Sequence, residues 1–137
     1  MTAVDIAVSQ LKTDEGYRQH VYNDALGNPT IGFGCCLASG ISYSAALALL
    51  TAQTAETETA LNNYYWFTQL DDVRKATVIN WCFNVGVPGM LHFVKTLNAI
   101  AVGNWAEAHD ELLDSLAAKQ NPNRYQRLAQ QLLTGTI

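Results

Sequence analysis

DEGYRQHVYNDALGNPTIGFG, from Asp14 to Gly34, decides how this 137-residue chain is read. Gly16 follows a helical pattern and suits the position just past a helix C-terminus, where a positive φ is needed, which leaves Glu15 at the end of the first helix. The stretch then changes character. His20 to Tyr22 favours extended backbone, Ala25 to Pro29 carries glycine and Asn-Pro turn signals, and Thr30 to Gly34 alternates with period two. A β-hairpin is expected, with Asp24 closing one strand and Thr30 opening the other, so that the turn draws their side chains together. Gly32 and Gly34 would share a face with Thr30 and leave an open floor for a ligand.

Glu15, Asp24 and Thr30 suit glycoside hydrolysis, where one carboxylic acid protonates the leaving oxygen and a second group handles water or developing positive charge. The helix end disfavours an ionised Glu15, which makes it the better acid. Asp24, in a polar turn, should stay ionised, and Thr30 can hold a water between its hydroxyl and Asp24. Spacing by itself is weak support, because most acidic residues are solvated surface.

Outward from this segment the chain reads as helices. The first spans about Ala3 to Asp14, with Val4, Ala7, Val8 and Leu11 as its apolar face. Cys35 to Gly40 reads as a loop. Ser42 caps a long helix to about Tyr65. At ~36 Å that helix is too long for one small lobe and reads as a connector. Tyr64 to Phe67 reads as core at a helix end in preference to a sugar platform. Asp71 or Asp72 caps a helix to Val85, stopped by Gly86, whose second half is apolar nearly all round and so should be buried. Asn80 and Asn84 lie four apart on it, and at least one is expected to face a cleft. Further helices span about Leu91 to Val102 and Asn104 to Ala118, with Phe93, Leu97 and Trp105 as packing residues. Pro122 opens the last helix, which carries Arg124 and Arg127 on one face.

The fold expected is α+β, mainly α. It is a single two-lobed domain, 1–137, with a hairpin lobe over about 16–42, a connecting helix over about 42–65, and a helical lobe over about 66–137 that also takes the N-terminal helix. Apolar residues at 49% and charged ones at 15% argue against disorder. No basic-then-apolar leader and no long apolar run is visible, so no export signal is expected. Cys35, Cys36 and Cys82 make no disulfide framework and read as free, partly buried thiols of a chain made in a reducing compartment. His20, His92 and His109 show no metal spacing, and no metal or cofactor is expected. Nor is a nucleic-acid partner or membrane insertion, and the chain is read as a monomer.

The opening stretch resembles the catalytic segment of the phage-type lysozymes, the T-even phage endolysin family, which share Glu-x8-Asp-x5-Thr and a TIG-x-G strand. DDVRKATVINWCFNVG (Asp71 to Gly86) resembles the central helix of that family's C-terminal lobe, and NPNRYQRLAQQLLTGT (Asn121 to Thr136) a segment near its end. The likeness runs from about Asp5 to Thr136 in the family's order. It implies hydrolysis of the β-1,4 bond between N-acetylmuramic acid and N-acetylglucosamine in bacterial peptidoglycan. Glu15 would be the general acid, with Asp24 and Thr30 positioning water and inversion at the anomeric carbon. It also implies Phe83 and Asn84 at the substrate groove, although plain core packing serves Phe83 equally well, and Thr96 near substrate. Asn80 would support the site, and Arg124 would stand near Glu15 and Arg127 near Asp14. Arg124 favours an ionised Glu15 and the helix end a protonated one, and the sequence leaves that open. Made in the bacterial host cytoplasm, such a protein would reach the periplasmic wall through another protein's pore or be carried in a virion.

Four departures stand out. Cys35 replaces the family's mainly structural histidine, the hairpin lobe is short, the chain stops soon after Thr136, and the net charge is −4 where such proteins are commonly basic. These admit a rival reading, a lysozyme-like module that binds the wall without cutting it. The intact Glu15, Asp24 and Thr30 set argues for the enzyme.

Overall fold

A computed structural model describes all residues, 1–137. The protein is mainly helical, with one small antiparallel sheet, as an α+β chain of this kind should be. It divides into two compact units, Met1–Leu49 and Leu50–Ile137. No helix is long and apolar enough to cross a membrane.

In the first unit, helix α1 (Ala3–Glu15) starts at a reciprocal cap: the Thr2 hydroxyl accepts the Asp5 N–H at 3.2 Å, and the Asp5 carboxylate accepts the Thr2 N–H at 2.7 Å. It ends at Gly16, whose φ of 68° is open to glycine and strained for other residues. Val4, Val8 and Leu11, expected as an apolar face, are exposed. The sheet follows, in the order β1 (Arg18–Asn23), β2 (Pro29–Gly32), β3 (Cys35–Cys36). Tyr22 faces Thr30 across β1 and β2, and Thr30 faces Cys36 across β2 and β3.

Two expectations need correction here. Cys35 to Gly40 is not a loop: it supplies β3 and then a 3-10 turn, Leu37–Ser39. The alternation of Thr30 to Gly34 also stops at Gly32. Positive φ at Gly32 (69°) and Gly34 (72°) turns the chain back on itself, so Gly34 lies in a second reversal and not on the floor beside Thr30.

Helix α2 (Tyr43–Leu61) begins at Ser42, whose hydroxyl accepts the Ala45 N–H at 3.2 Å. It stops four residues short of the expected end, because the poor helix formers Asn62 and Asn63 break it and Tyr64 turns extended before the short α3 (Tyr65–Thr68). Helix α4 (Asp72–Met90) is capped by Asp71. The expected stop at Gly86 is a real break, with φ 76° and ψ 161°, but the chain resumes helix directly with Pro88 near the start of the new turn. Then come α5 (Val94–Ala101), α6 (Trp105–Leu113), α7 (Leu116–Gln120) and α8 (Pro122–Thr134). The helix expected to run unbroken to Ala118 is two, because Ser115 accepts the Ala118 N–H and starts a new one.

The second unit's core holds Trp81, Tyr125, Phe67, Leu61, Met90, Leu112, Leu128 and Leu132, all essentially without exposed surface. Each such side chain contributes about 1.5–3 kcal/mol by leaving water. Trp81 meets Phe93 edge to face at 5.0 Å. Phe67 is core and Tyr64 and Trp66 pack against it, while Tyr65 is exposed.

Candidate active site

The first unit assembles the site from α1 and the two chain reversals. Glu15, on the last turn of α1, lays its carboxylate against the Cα of Gly34. A Cβ there would stand 2.5 Å from Glu15 Oε2 and 2.8 Å from its Cδ. Those distances are well inside contact, so only glycine lets the carboxylate rest where it does. Tyr17 and Phe33 bring the same two segments together, ring centroids 5.5 Å apart.

Asp24 sits in the first reversal as the residue that builds it. Its Oδ1 accepts the N–H groups of Leu26 (2.9 Å) and Asn28 (2.8 Å), and its Oδ2 accepts the Asn28 amide at 3.4 Å. An Asx turn of this kind satisfies backbone that strand pairing cannot. The Asn28 N–H, joined by those of Leu26 and Gly27 and by the Asn28 amide, holds the Asp24 carboxyl below the ordinary carboxylate range, against a lesser push upward from burial. Thr30 is 3% exposed, and its hydroxyl donates to the Asn28 carbonyl at 3.0 Å. Asp24 and Thr30 are thus joined through one residue, Asn28, which the sequence reading passed over. The available signal was an asparagine four residues after an aspartate and directly before Pro29, where an Asx turn commonly closes. Gly34 was noticed as floor, but its use as the seat of Glu15 depends on where α1 ends.

The second unit carries the remaining residues. Asn80 and Asn84, taken from sequence to include a buried amide, are both exposed, and each bonds to α8. Asn80 Oδ1 accepts Arg124 Nε at 3.0 Å and Nη2 at 2.8 Å, and its carbonyl accepts Nη2 at 3.0 Å. Asn84 Oδ1 accepts the Tyr125 hydroxyl at 2.7 Å. Phe83 is 43% exposed and is not core. It lines a cavity of 460 Å³ with Leu50, Thr54, Ile79, Asn80 and Arg124. Thr96 is buried and belongs to a different depression, walled by His92, Lys95, Glu111 and Asp114. Within their own units Asp14 and Arg127 form no ion pair. Cys35 is exposed, Cys36 half-buried and Cys82 buried, all as free thiols. Burial pushes the Cys82 thiol up.

The chain is similar to several known proteins. The chain is 28% identical over 160 residues to probable T4-type lysozyme 1 of Dictyostelium discoideum, covering 93% of each chain. It is 27% identical over 158 residues to probable T4-type lysozyme 2 of the same organism, again 93% of each. It is also 25% identical over 158 residues to the pre-baseplate central spike protein Gp5 of Enterobacteria phage T4, a likeness that takes in 93% of this chain and 27% of that one. Residues 12–132 match the family described as Phage lysozyme, and they hold Glu15, Asp24 and Thr30 together with the whole sheet and α2 to α7. The chain belongs to the phage lysozyme family.

Proposed function

We propose that the protein is a muramidase that hydrolyses the β-1,4 bond between N-acetylmuramic acid and N-acetylglucosamine in peptidoglycan, with inversion. The observation that carries this reading is that one unit holds both a carboxylate seated on Gly34 and an Asp24–Asn28–Thr30 turn. Glu15 gives its proton to the glycosidic oxygen as the C1–O bond breaks. A water on the opposite face attacks C1 and passes a proton to Asp24, and solvent restores both carboxyls. Phe83, Asn84 and Thr96 contact the glycan. Arg124, steadied by Asn80, supports the scheme together with Asp14 and Arg127. No metal or cofactor enters this scheme. The protein works as one domain and as a monomer, acting on the periplasmic wall after release through another protein's pore or from a virion.

The test is turbidity loss of outer-membrane-permeabilised Gram-negative cells with mass analysis of the fragments. New reducing ends on N-acetylmuramic acid, absent with Glu15→Gln, support the reading, and full activity in that variant ends it. Anhydro-muramic ends would mean a lytic transglycosylase.

A second reading is favoured by the likeness to a spike protein, of which this chain matches about a quarter. There the domain would serve a phage particle by binding the wall without cutting it. Sedimentation with purified walls and no release of fragments supports that reading.

A further inference from the structure

Asn28 touches both groups assigned to the water, and we propose that it is a positioning residue that makes their seat an all-acceptor one. The attacking water is then held by both its hydrogens, with a lone pair free for the anomeric carbon. This rests on the muramidase reading and specifies how its water is oriented.

The Asn28 N–H and side-chain amide fall on the two oxygens of Asp24, and its carbonyl takes the Thr30 hydroxyl proton. A hydroxyl has one proton and two lone pairs, so a Thr30 committed to that carbonyl can only accept from a third partner. An ionised Asp24 can likewise only accept. A water between them must donate twice, which leaves its oxygen lone pairs outward. Were Thr30 to donate to the water instead, it would take up one of the oxygen's two lone pairs and draw electron density from the nucleophile. The arrangement is hard to reverse, because Thr30 is nearly fully buried and bulk water cannot stand in for the carbonyl. Pro29 leaves the nitrogen beside that carbonyl without an N–H that could donate to the hydroxyl. The depressed Asp24 carboxyl agrees, since the Asn28 N–H is its largest cause.

The test compares the full-length wild type, Asn28→Ala and Asn28→Asp by rates of reducing-end release from purified peptidoglycan across pH, with thermal unfolding alongside. Asn28→Ala keeps the backbone contacts and loses the amide on Asp24. Its kcat should fall roughly fivefold with KM unchanged, and its acidic limb should move to higher pH. Asn28→Asp, the same size but anionic beside Asp24, should move that limb further, and it serves as the test if the alanine variant does not fold. Acidic limbs and kcat matching wild type in the folded variants overturn a positioning role for the Asn28 side chain while leaving the muramidase reading intact. A wild type that releases no reducing ends overturns both. A neutron structure of the deuterated protein adds a direct readout: a Thr30 deuteron on the Asn28 carbonyl supports the all-acceptor seat, and one on a water overturns it.

Discussion

Gly34 carries the sharpest demand on a single residue in this chain. A methyl there meets the Glu15 carboxylate at 2.5 Å, and a φ of 72° strains any side chain. Gly34→Ala should therefore cost about 1–2 kcal/mol through the backbone alone. By displacing the acid it should also lower kcat at least about tenfold, since misplaced groups lose most of their catalytic effect. Urea unfolding and reducing-end assays check the two effects, and wild-type activity would mean that Glu15 does not need this seat. Asp24 makes a prediction in pH. Its folded carboxyl lies below the ordinary value of 3.8, so its contribution to stability is fully present above that value and is lost as pH falls through the folded one. Asp24→Asn should flatten the acid side of the stability curve, read from urea midpoints between about pH 5 and pH 2.5. Glu15, Asp24 and Thr30 were singled out through the family resemblance, since their spacing alone is weak support. Asn28 was not, because two of its three contacts use backbone groups that every residue has.

Between elements, the docking of α8 on α4 depends on polar ties that periodicity cannot reveal. Tyr125 is buried and Asn84 exposed, so the two ends of their hydrogen bond are unequal. Tyr125→Phe should cost about 0.5–1.5 kcal/mol, since the freed Asn84 finds water, whereas Asn84→Ala strands a buried hydroxyl and should cost about 1–3 kcal/mol. Equal losses in urea unfolding would contradict this account. At the other end of α8, Arg74 donates to the carbonyls of Leu132 (2.8 Å) and Leu133 (3.1 Å), pairs with Asp71 at 2.8 Å and lies 4.0 Å over the Trp105 ring. The ion pair is half-exposed and adds little, so the carbonyl and ring contacts dominate. Arg74→Ala should lower stability by roughly 2–4 kcal/mol by thermal or urea unfolding. Helix existence and order were readable from apolar period and caps. The breaks at Asn62–Asn63, Gly86 and Ser115 were only partly so, because competition between a side-chain cap and a continuing helix is decided by packing.

For the molecule as a whole, a net charge of −4 sets it against an anionic wall. Salt that screens the repulsion should help it: clearing of permeabilised cells should quicken from about 10 mM to about 150 mM ionic strength, where the screening length shortens from ~30 Å to ~8 Å. Slowing over that range would point to a basic contact surface that the net charge conceals. The boundary between the two compact units falls inside α2, where periodicity gives no sign of it, since Leu49 and Leu50 continue one helical run. The free thiols give this division a practical consequence. Cys35 and Cys36 lie in the first unit, and Cys82 lies in the second at 2% exposure. A thiol reagent should label Cys35 at once and Cys82 only when its surroundings open. The unaltered chain therefore carries its own stability gauge: the Cys82 labelling rate, followed through a denaturant series with Cys35 as the internal reference, times the opening of the second unit without any introduced probe.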